Sequence, residues 1–88
     1  MEYSAKFMGE VIQRERIRRK RSQEVASGLA VMSRSHWSEI EHGHHPDLAV
    51  QTFWKMAYAL DMRPSELMRL IEEETERRGQ EQSGQKQE

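Results

Sequence analysis

The sequence contains no cysteine, which excludes disulfide bonds and thiolate-bound metals as sources of stability. It also contains no run that approaches the roughly 18 consecutive apolar residues of a membrane-spanning helix. The opening segment, MEYSAKFMGE, lacks the apolar stretch of a secretory signal peptide. These absences predict a soluble cytoplasmic protein with no membrane partner.

Strand signals are absent as well. Alternation of β-branched residues does not extend over four positions, and the 5 glycines and 2 prolines stand at spacings that end helices.

A chain of 88 residues can form one small domain around one hydrophobic core. Such a core rarely supplies more than about 3–5 kcal/mol. Because disulfides are excluded, association of two copies is the remaining common way to add stability.

Five segments repeat apolar residues every three to four positions, which predicts five helices, the first over about residues 6–20. Ser22, Ser33 and Asp47 are the predicted N-caps of helices two, three and four. Gly43 is expected to follow helix three with a positive φ, and Pro64 to stand in the first turn of helix five. The predicted fold is a compact all-α domain over residues 1–76, followed by a polar tail, residues 77–88, that is disordered or a fraying helix end.

Charge is distributed unevenly along the chain, although the net charge is only −1. Residues 1–45 carry 8 basic and 6 acidic residues and all 4 histidines, whereas residues 46–88 carry 6 basic and 9 acidic residues. Six of the basic residues lie between Arg14 and Arg21. This asymmetry favours a protein with one face on DNA. A solvated helix face explains the charges equally well, so charge alone assigns no function.

The most informative segment is SQEVASGLAVMSRSHWSEIEHG, residues 22–43. Two helices of about eight to ten residues joined by a turn form a unit that fits a major groove roughly 12 Å wide. The second helix opens with Ser33, Arg34, Ser35 and His36, which can hydrogen-bond to base edges and phosphates. The pattern therefore predicts a helix-turn-helix whose reading helix covers residues 33–42.

This segment resembles the helix-turn-helix family of phage repressor and Cro proteins, also called the xenobiotic-response-element family. The resemblance is carried by MGEVI at residues 8–12 with Arg16, SQEVA at 22–26, SRSHWSEIEHG at 33–43 and KMAYAL at 55–60. It covers about residues 8–71. It implies a lambda-repressor-like five-helix fold and a sequence-specific DNA-binding regulator of transcription.

Three features depart from the family pattern. Helix two is one residue short at its start, and Met32 resembles an insertion in the turn that follows. Glu15 and Arg21 occupy positions near the end of helix one that are usually apolar. The loop after Pro46 is about two residues longer.

The resemblance also implies individual roles. Gln23, at the start of helix two, is expected to contact a phosphate. Arg34, Ser35 and Glu39 are expected to face base edges, where arginine binds guanine and glutamate accepts from cytosine. For Glu39, an internal ion pair is an alternative to base reading.

Further contacts, to phosphate or through water, are expected from Ser33, His36, Ser38 and His42. The resemblance pairs Arg16 with Glu41 inside the domain, which would connect helix one to helix three. That ion pair is a scaffold feature and reads no base.

Helix five is predicted to be the interface of a homodimer, because it carries more apolar surface than one face of a small domain can bury. The residues concerned are Leu67, Met68, Leu70 and Ile71. Dimeric helix-turn-helix proteins read half-sites about one helical turn apart, so a near-palindromic operator is expected.

Other functions find less support in the sequence. His42, His44 and His45 lie on one loop without cysteine, which does not supply a zinc-ligand set, so no metal or cofactor is expected. An enzyme is not expected, because no nucleophile has a paired base and the core is too small to enclose a pocket. Two alternatives remain: a protein-interaction module that does not bind DNA, and an antitoxin of a toxin–antitoxin pair. Such a protein uses the same helix-turn-helix on its own operator and holds a protein partner through added surface.

Overall fold

The computed structural model describes residues 2–86 of the chain, with side chains as far as Gly79. Over this range the structure consists of helices, turns and loops without a strand. The five helices are α1 (Ala5–Arg18), α2 (Gln23–Leu29), α3 (Arg34–Glu41), α4 (Val50–Ala59) and α5 (Pro64–Lys86). The predicted all-α, five-helix fold is thereby confirmed. None of these helices is long and apolar enough to cross a membrane.

Serine side chains begin the first three helices. Ser4, Ser22 and Ser33 each accept a hydrogen bond from the backbone N–H three residues further on, at 3.2, 3.1 and 3.1 Å. Each bond satisfies one of the N–H groups that a helix start leaves without a partner. The predicted caps Ser22 and Ser33 are thus present, and α1 begins about one residue earlier than expected.

The predicted cap of α4 is wrong. The N-cap is Ala49, which has no side-chain cap hydrogen bond, and Asp47 lies two residues before it. Between them, Leu48 packs against the hydrophobic core. Burial of Leu48 therefore takes precedence over local capping by Asp47.

The first four helices end in the same way, on a residue with positive φ. Lys20, Val31, Gly43 and Asp61 have φ values of 57, 54, 79 and 56°. In each case the next backbone N–H bonds to a carbonyl five residues earlier, which is the Schellman arrangement. Met32 is the residue after Val31 in this arrangement, and its N–H bonds to the carbonyl of Ser27 at 3.0 Å. The apparent insertion in the turn is thus the hydrogen-bonded end of α2.

One hydrophobic core holds the helices together. Trp37 and Ile40 place the inner face of α3 in it with no exposed surface. The other buried apolar residues are Met8, Val11, Ile12, Ala26, Ala30, Phe53, Met56, Ala57, Ala59, Leu60, Met62, Leu67 and Ile71. Because α3 buries this face, its opposite face points to solvent.

The helices α1 and α3 approach each other at Gly9. A Cβ atom on Gly9 would overlap the carbonyl oxygens of Ile40 and Glu41, at the end of α3. Only a glycine permits this separation. Gly9 therefore determines how closely α3 lies against α1.

The two unusual polar positions near the end of α1 form ion pairs. Glu15 is buried, and its carboxylate bonds to Arg19 at 2.9 Å and to Arg14 at 3.3 Å. Burial raises the pKa of Glu15, but these bonds and the charge of Arg18 outweigh burial and lower that pKa below its ordinary value. Arg21 bonds to the carboxylate of Asp61 at 2.6 Å, which ties the end of α1 to the end of α4. Ion pairs thus replace apolar packing at these positions.

The predicted interface on helix five is wrong in most of its residues. Leu67 and Ile71 are 0% and 3% exposed, because they fill the core of their own chain, and Leu70 is partly buried against that core. Of the four residues, only Met68 is largely exposed, at 47%. The apolar side of α5 is therefore occupied by α1 and α4.

The predicted polar tail begins as a continuation of α5, which runs to Lys86. The Arg78 guanidinium lies 4.2 Å from the centre of the Phe7 ring and pairs with Glu10, both on α1. Residues 87 and 88, the end of the predicted tail, lie outside the described residues. The boundary at residue 76 remains a prediction.

Candidate nucleic-acid interface

A buried carboxylate anchors the helix-turn-helix. The Glu41 side chain has no exposed surface, and the Arg16 side chain is 11% exposed. Glu41 accepts hydrogen bonds from Arg16 Nε at 2.6 Å, Arg16 Nη2 at 3.2 Å, Trp37 Nε1 at 2.6 Å and Gln23 Nε2 at 2.9 Å. These donors come from α1, α3 and α2. We refer to Glu41, Arg16, Trp37 and Gln23 as the Glu41 hub; it joins the three helices that position the interface.

Gln23 is the first residue of α2, and its side-chain amide can bond both to Glu41 and to an external acceptor. One N–H of its amide is used on Glu41, at 2.9 Å. The amide oxygen and the second N–H have no partner among residues 2–79. Glu41 thus orients the amide, and the remaining N–H can donate to a phosphate at the start of α2.

Four of the predicted contact residues lie with Gln23 around one shallow cleft. The cleft is lined by Gln23, Arg34, Ser35, Ser38 and Glu39. Arg34, Ser35 and Glu39 are exposed, and Ser38 is half-buried. The structure therefore brings together the start of α2 and the outer face of α3.

Arg34 differs from the arginines of α1. Its guanidinium makes no hydrogen bond or ion pair with any described residue. The arginines that pair with a carboxylate at the end of α1 and just beyond it are Arg14, Arg16, Arg18, Arg19 and Arg21. These five arginines thus each have an acidic partner, but Arg14, Arg18 and Arg19 share the single carboxylate of Glu15, so the segment keeps a positive charge. Arg34 keeps all five guanidinium N–H donors available to an external acceptor.

Glu39 has one free carboxylate oxygen. Its Oε1 bonds to Nε2 of His45 at 2.8 Å, and its Oε2 has no partner among the described side chains. The side chain is 53% exposed. The hydrogen bond to His45 is the largest effect that lowers the pKa of Glu39, so the carboxylate is ionised near neutral pH. Glu39 thus has an internal hydrogen-bond partner, and an acceptor for a base amino group remains.

The other predicted contact residues border this surface. The Ser33 hydroxyl caps α3 by accepting from the His36 N–H at 3.1 Å. The His42 Nδ1 lies 2.7 Å from the carbonyl oxygen of Ser38. The His36 ring packs edge-on against His45, with ring centres 4.9 Å apart. No group of three potential metal ligands is found among the described residues.

Two contacts in this region were not predicted from the sequence. The first is the bond from Gln23 to Glu41, 18 residues apart, for which no local signal exists. The second is the bond from His45 to Glu39. Here a signal was available, because the positive φ of Gly43 turns the chain back towards α3.

The structure contains two short helices, α2 and α3, joined by a tight turn. The second helix has a polar outer face, and the buried Glu41 hub lies behind it. This arrangement defines the class of protein. The chain is a helix-turn-helix protein with the fold of the phage repressor and Cro-like family, as the sequence resemblance predicted.

Comparison with solved structures gives a specific neighbour. The chain is similar to the restriction-modification controller protein C.AhdI from Aeromonas hydrophila, with a TM-score of 0.67 and 28% sequence identity. The match covers 72% of this chain and 94% of the other. No protein-family model and no curated protein sequence matches the chain.

Proposed function

We propose that this protein is a sequence-specific DNA-binding regulator of transcription that reads the major groove with α3. The observation that carries the proposal is the exposed, unpartnered guanidinium of Arg34 on the first turn of α3. An arginine in this position can bind O6 and N7 of a guanine with two hydrogen bonds. The similarity to a restriction-modification controller supports a role in controlling genes, and a cytoplasmic location is part of this proposal.

The remaining side chains divide into readers and anchors. Ser35 and Glu39 stand beside Arg34 and supply further groups for base edges. Gln23, at the start of α2, and the exposed hydroxyl of Ser33 supply phosphate contacts, which set the position of α3 in the groove without selecting sequence. His36, Ser38 and His42 extend the phosphate contacts along α3.

The test uses purified protein and duplexes selected from a randomised library. Arg34→Ala should weaken binding to the selected site by about 1–3 kcal/mol and remove the preference at one base pair of each half-site. The matched control is Arg63→Ala, because Arg63 is also exposed and its side chain also has no partner among the described residues. It should leave every base preference unchanged. If Arg34→Ala alters neither affinity nor preference, α3 is not the reading helix.

We further propose that the regulator acts as a homodimer through α4. Val50, Trp54 and Tyr58 recur every fourth residue on one side of α4 and are 74%, 53% and 56% exposed. We call these three residues the α4 stripe. Apolar residues that share an exposed face in this way are typical of protein interfaces. Pairing of two copies through the α4 stripe would present two reading helices to a near-palindromic site.

An antitoxin role rests on the fold alone, which many functions share. The similarity to a controller protein favours the regulator instead.

A further inference from the structure

The chain that leaves α3 folds back over the reading helix. After Gly43, with φ 79°, the His44 N–H bonds to the carbonyl oxygen of Glu39 at 3.0 Å. This bond fixes the loop against the last turn of α3. It places the His45 ring beside Glu39, with 2.8 Å between Nε2 and Oε1.

The His45 ring is held from a second side. The His36 ring, one turn before Glu39 on α3, packs edge-on against it at 4.9 Å between ring centres. His45 itself is half-buried, whereas Glu39 is exposed. The His45 imidazole is therefore held in place, and its bond to Glu39 restricts a side chain that is otherwise exposed.

We propose that His45 is a positioning residue for base recognition, which holds Glu39 Oε1 so that Oε2 can accept a hydrogen bond from a base amino group. This inference rests on the proposed function, because it requires α3 to lie in the major groove. The acceptor that glutamate provides matches the N4 amino group of cytosine.

One physical effect makes His45 useful for this role. A free glutamate side chain loses rotamer freedom when it binds, and the bond to His45 removes part of that cost before DNA arrives.

Other charged or ionisable groups face the pair. They are His36 on α3 and His44 on the loop, while Arg34 on α3 shares the cleft with Glu39. Histidines that contact phosphates change the affinity for all sequences alike. The ratio of affinities for the preferred base and a substituted base therefore isolates the effect of His45 on Glu39.

The experiment compares base preferences of variants on the selected duplex and its single-base substitutions. Glu39→Gln identifies the base pair that Glu39 reads. His45→Ala should reduce discrimination at that same base pair by about tenfold, the range expected for a lost base contact. His45→Gln retains an amide donor, so it should restore part of the discrimination.

His44→Gln is the matched control, because it removes an imidazole from the same loop and leaves the bond to Glu39 intact. It should keep the full preference. Thermal unfolding of each variant verifies that it is folded.

Two results would overturn the inference: Glu39→Gln changes no base preference, or His45→Ala keeps the preference that Glu39→Gln loses. Arg34→Ala in the same series separates this inference from the proposed function. If Arg34→Ala loses its own base preference while His45→Ala loses none, only the role of His45 is wrong. If neither variant changes any preference, α3 does not read DNA.

Discussion

At the scale of single residues, the buried carboxylate of Glu41 connects the three helices that carry the proposed contact surface for DNA. Glu41 has no exposed side-chain area and receives hydrogen bonds from Arg16, Trp37 and Gln23. Each donor belongs to a different helix of the first three. A buried charge is tolerated only when its partners are complete, so the loss of one member leaves the others with unpaired polar groups.

Glu41→Gln should therefore lower the free energy of unfolding by about 3–5 kcal/mol, because the Arg16 guanidinium keeps its charge without a counter-charge. Denaturant unfolding measures the change. Glu39→Gln is the control, since Glu39 is exposed and paired only with His45, and its transition midpoint should barely move. A loss below about 1 kcal/mol for Glu41→Gln would show that the ion pair contributes little.

At the scale of helices, the position of α3 depends on a close approach to α1. No side chain fits between Gly9 and the carbonyl oxygens at the end of α3. The turn between α2 and α3 is also under strain, because Val31, a β-branched residue that is 81% exposed, has a φ of 54°. The position of α3 is thus set by a close backbone contact with α1 and by the strained turn that joins it to α2.

Gly9→Ala should destabilise the protein by about 1–3 kcal/mol, because α1 and α3 must separate to accommodate the methyl group. Gly28→Ala is the matched control: a Cβ atom there meets no other atom within 4 Å, and alanine favours a helix over glycine by up to about 1 kcal/mol. Thermal unfolding should therefore shift in opposite directions for the two variants. Equal shifts would mean that the contact at Gly9 relaxes without cost.

At the scale of the whole molecule, α5 places its apolar residues in the core, whereas one apolar side of α4 stays exposed. Leu67 and Ile71 of α5 complete the core, while Trp54 and Tyr58 of α4 stay half exposed, with ring centres 6.5 Å apart. Arg78 and the nearly buried Glu74 also draw α5 onto α1, through Glu10 and Arg14. The hydrogen bond from Arg78 is the largest effect that lowers the pKa of Glu74.

Trp54→Lys should convert the dimer into a monomer at tens of micromolar protein and weaken binding to the full near-palindromic site. Sedimentation equilibrium measures the first effect and DNA titration the second. Met68→Lys is the control, because Met68 is 47% exposed but lies on α5, away from the α4 stripe. Dissociation by Met68→Lys and not by Trp54→Lys would place the interface on α5 after all. A protein that is monomeric before any substitution, with and without DNA, would exclude the dimer.

Features with short-range causes could be predicted from the sequence. Ser22 and Ser33 cap their helices with bonds that span three residues, Gly43 ends α3 with a positive φ, and Pro64 begins α5. The partners of these residues are near neighbours along the chain, so residue type and spacing are enough to identify them.

Features that depend on how the helices pack were decided only by the tertiary structure. Asp47 lost the N-cap position because Leu48 is drawn to the core, and Leu67 became a core residue because α1 and α4 cover it. The bonds from Gln23 to Glu41 and from His45 to Glu39 join residues that only packing brings together. An amphipathic pattern predicts which face of a helix is apolar. Whether that face meets its own chain or another depends on the position of the other helices.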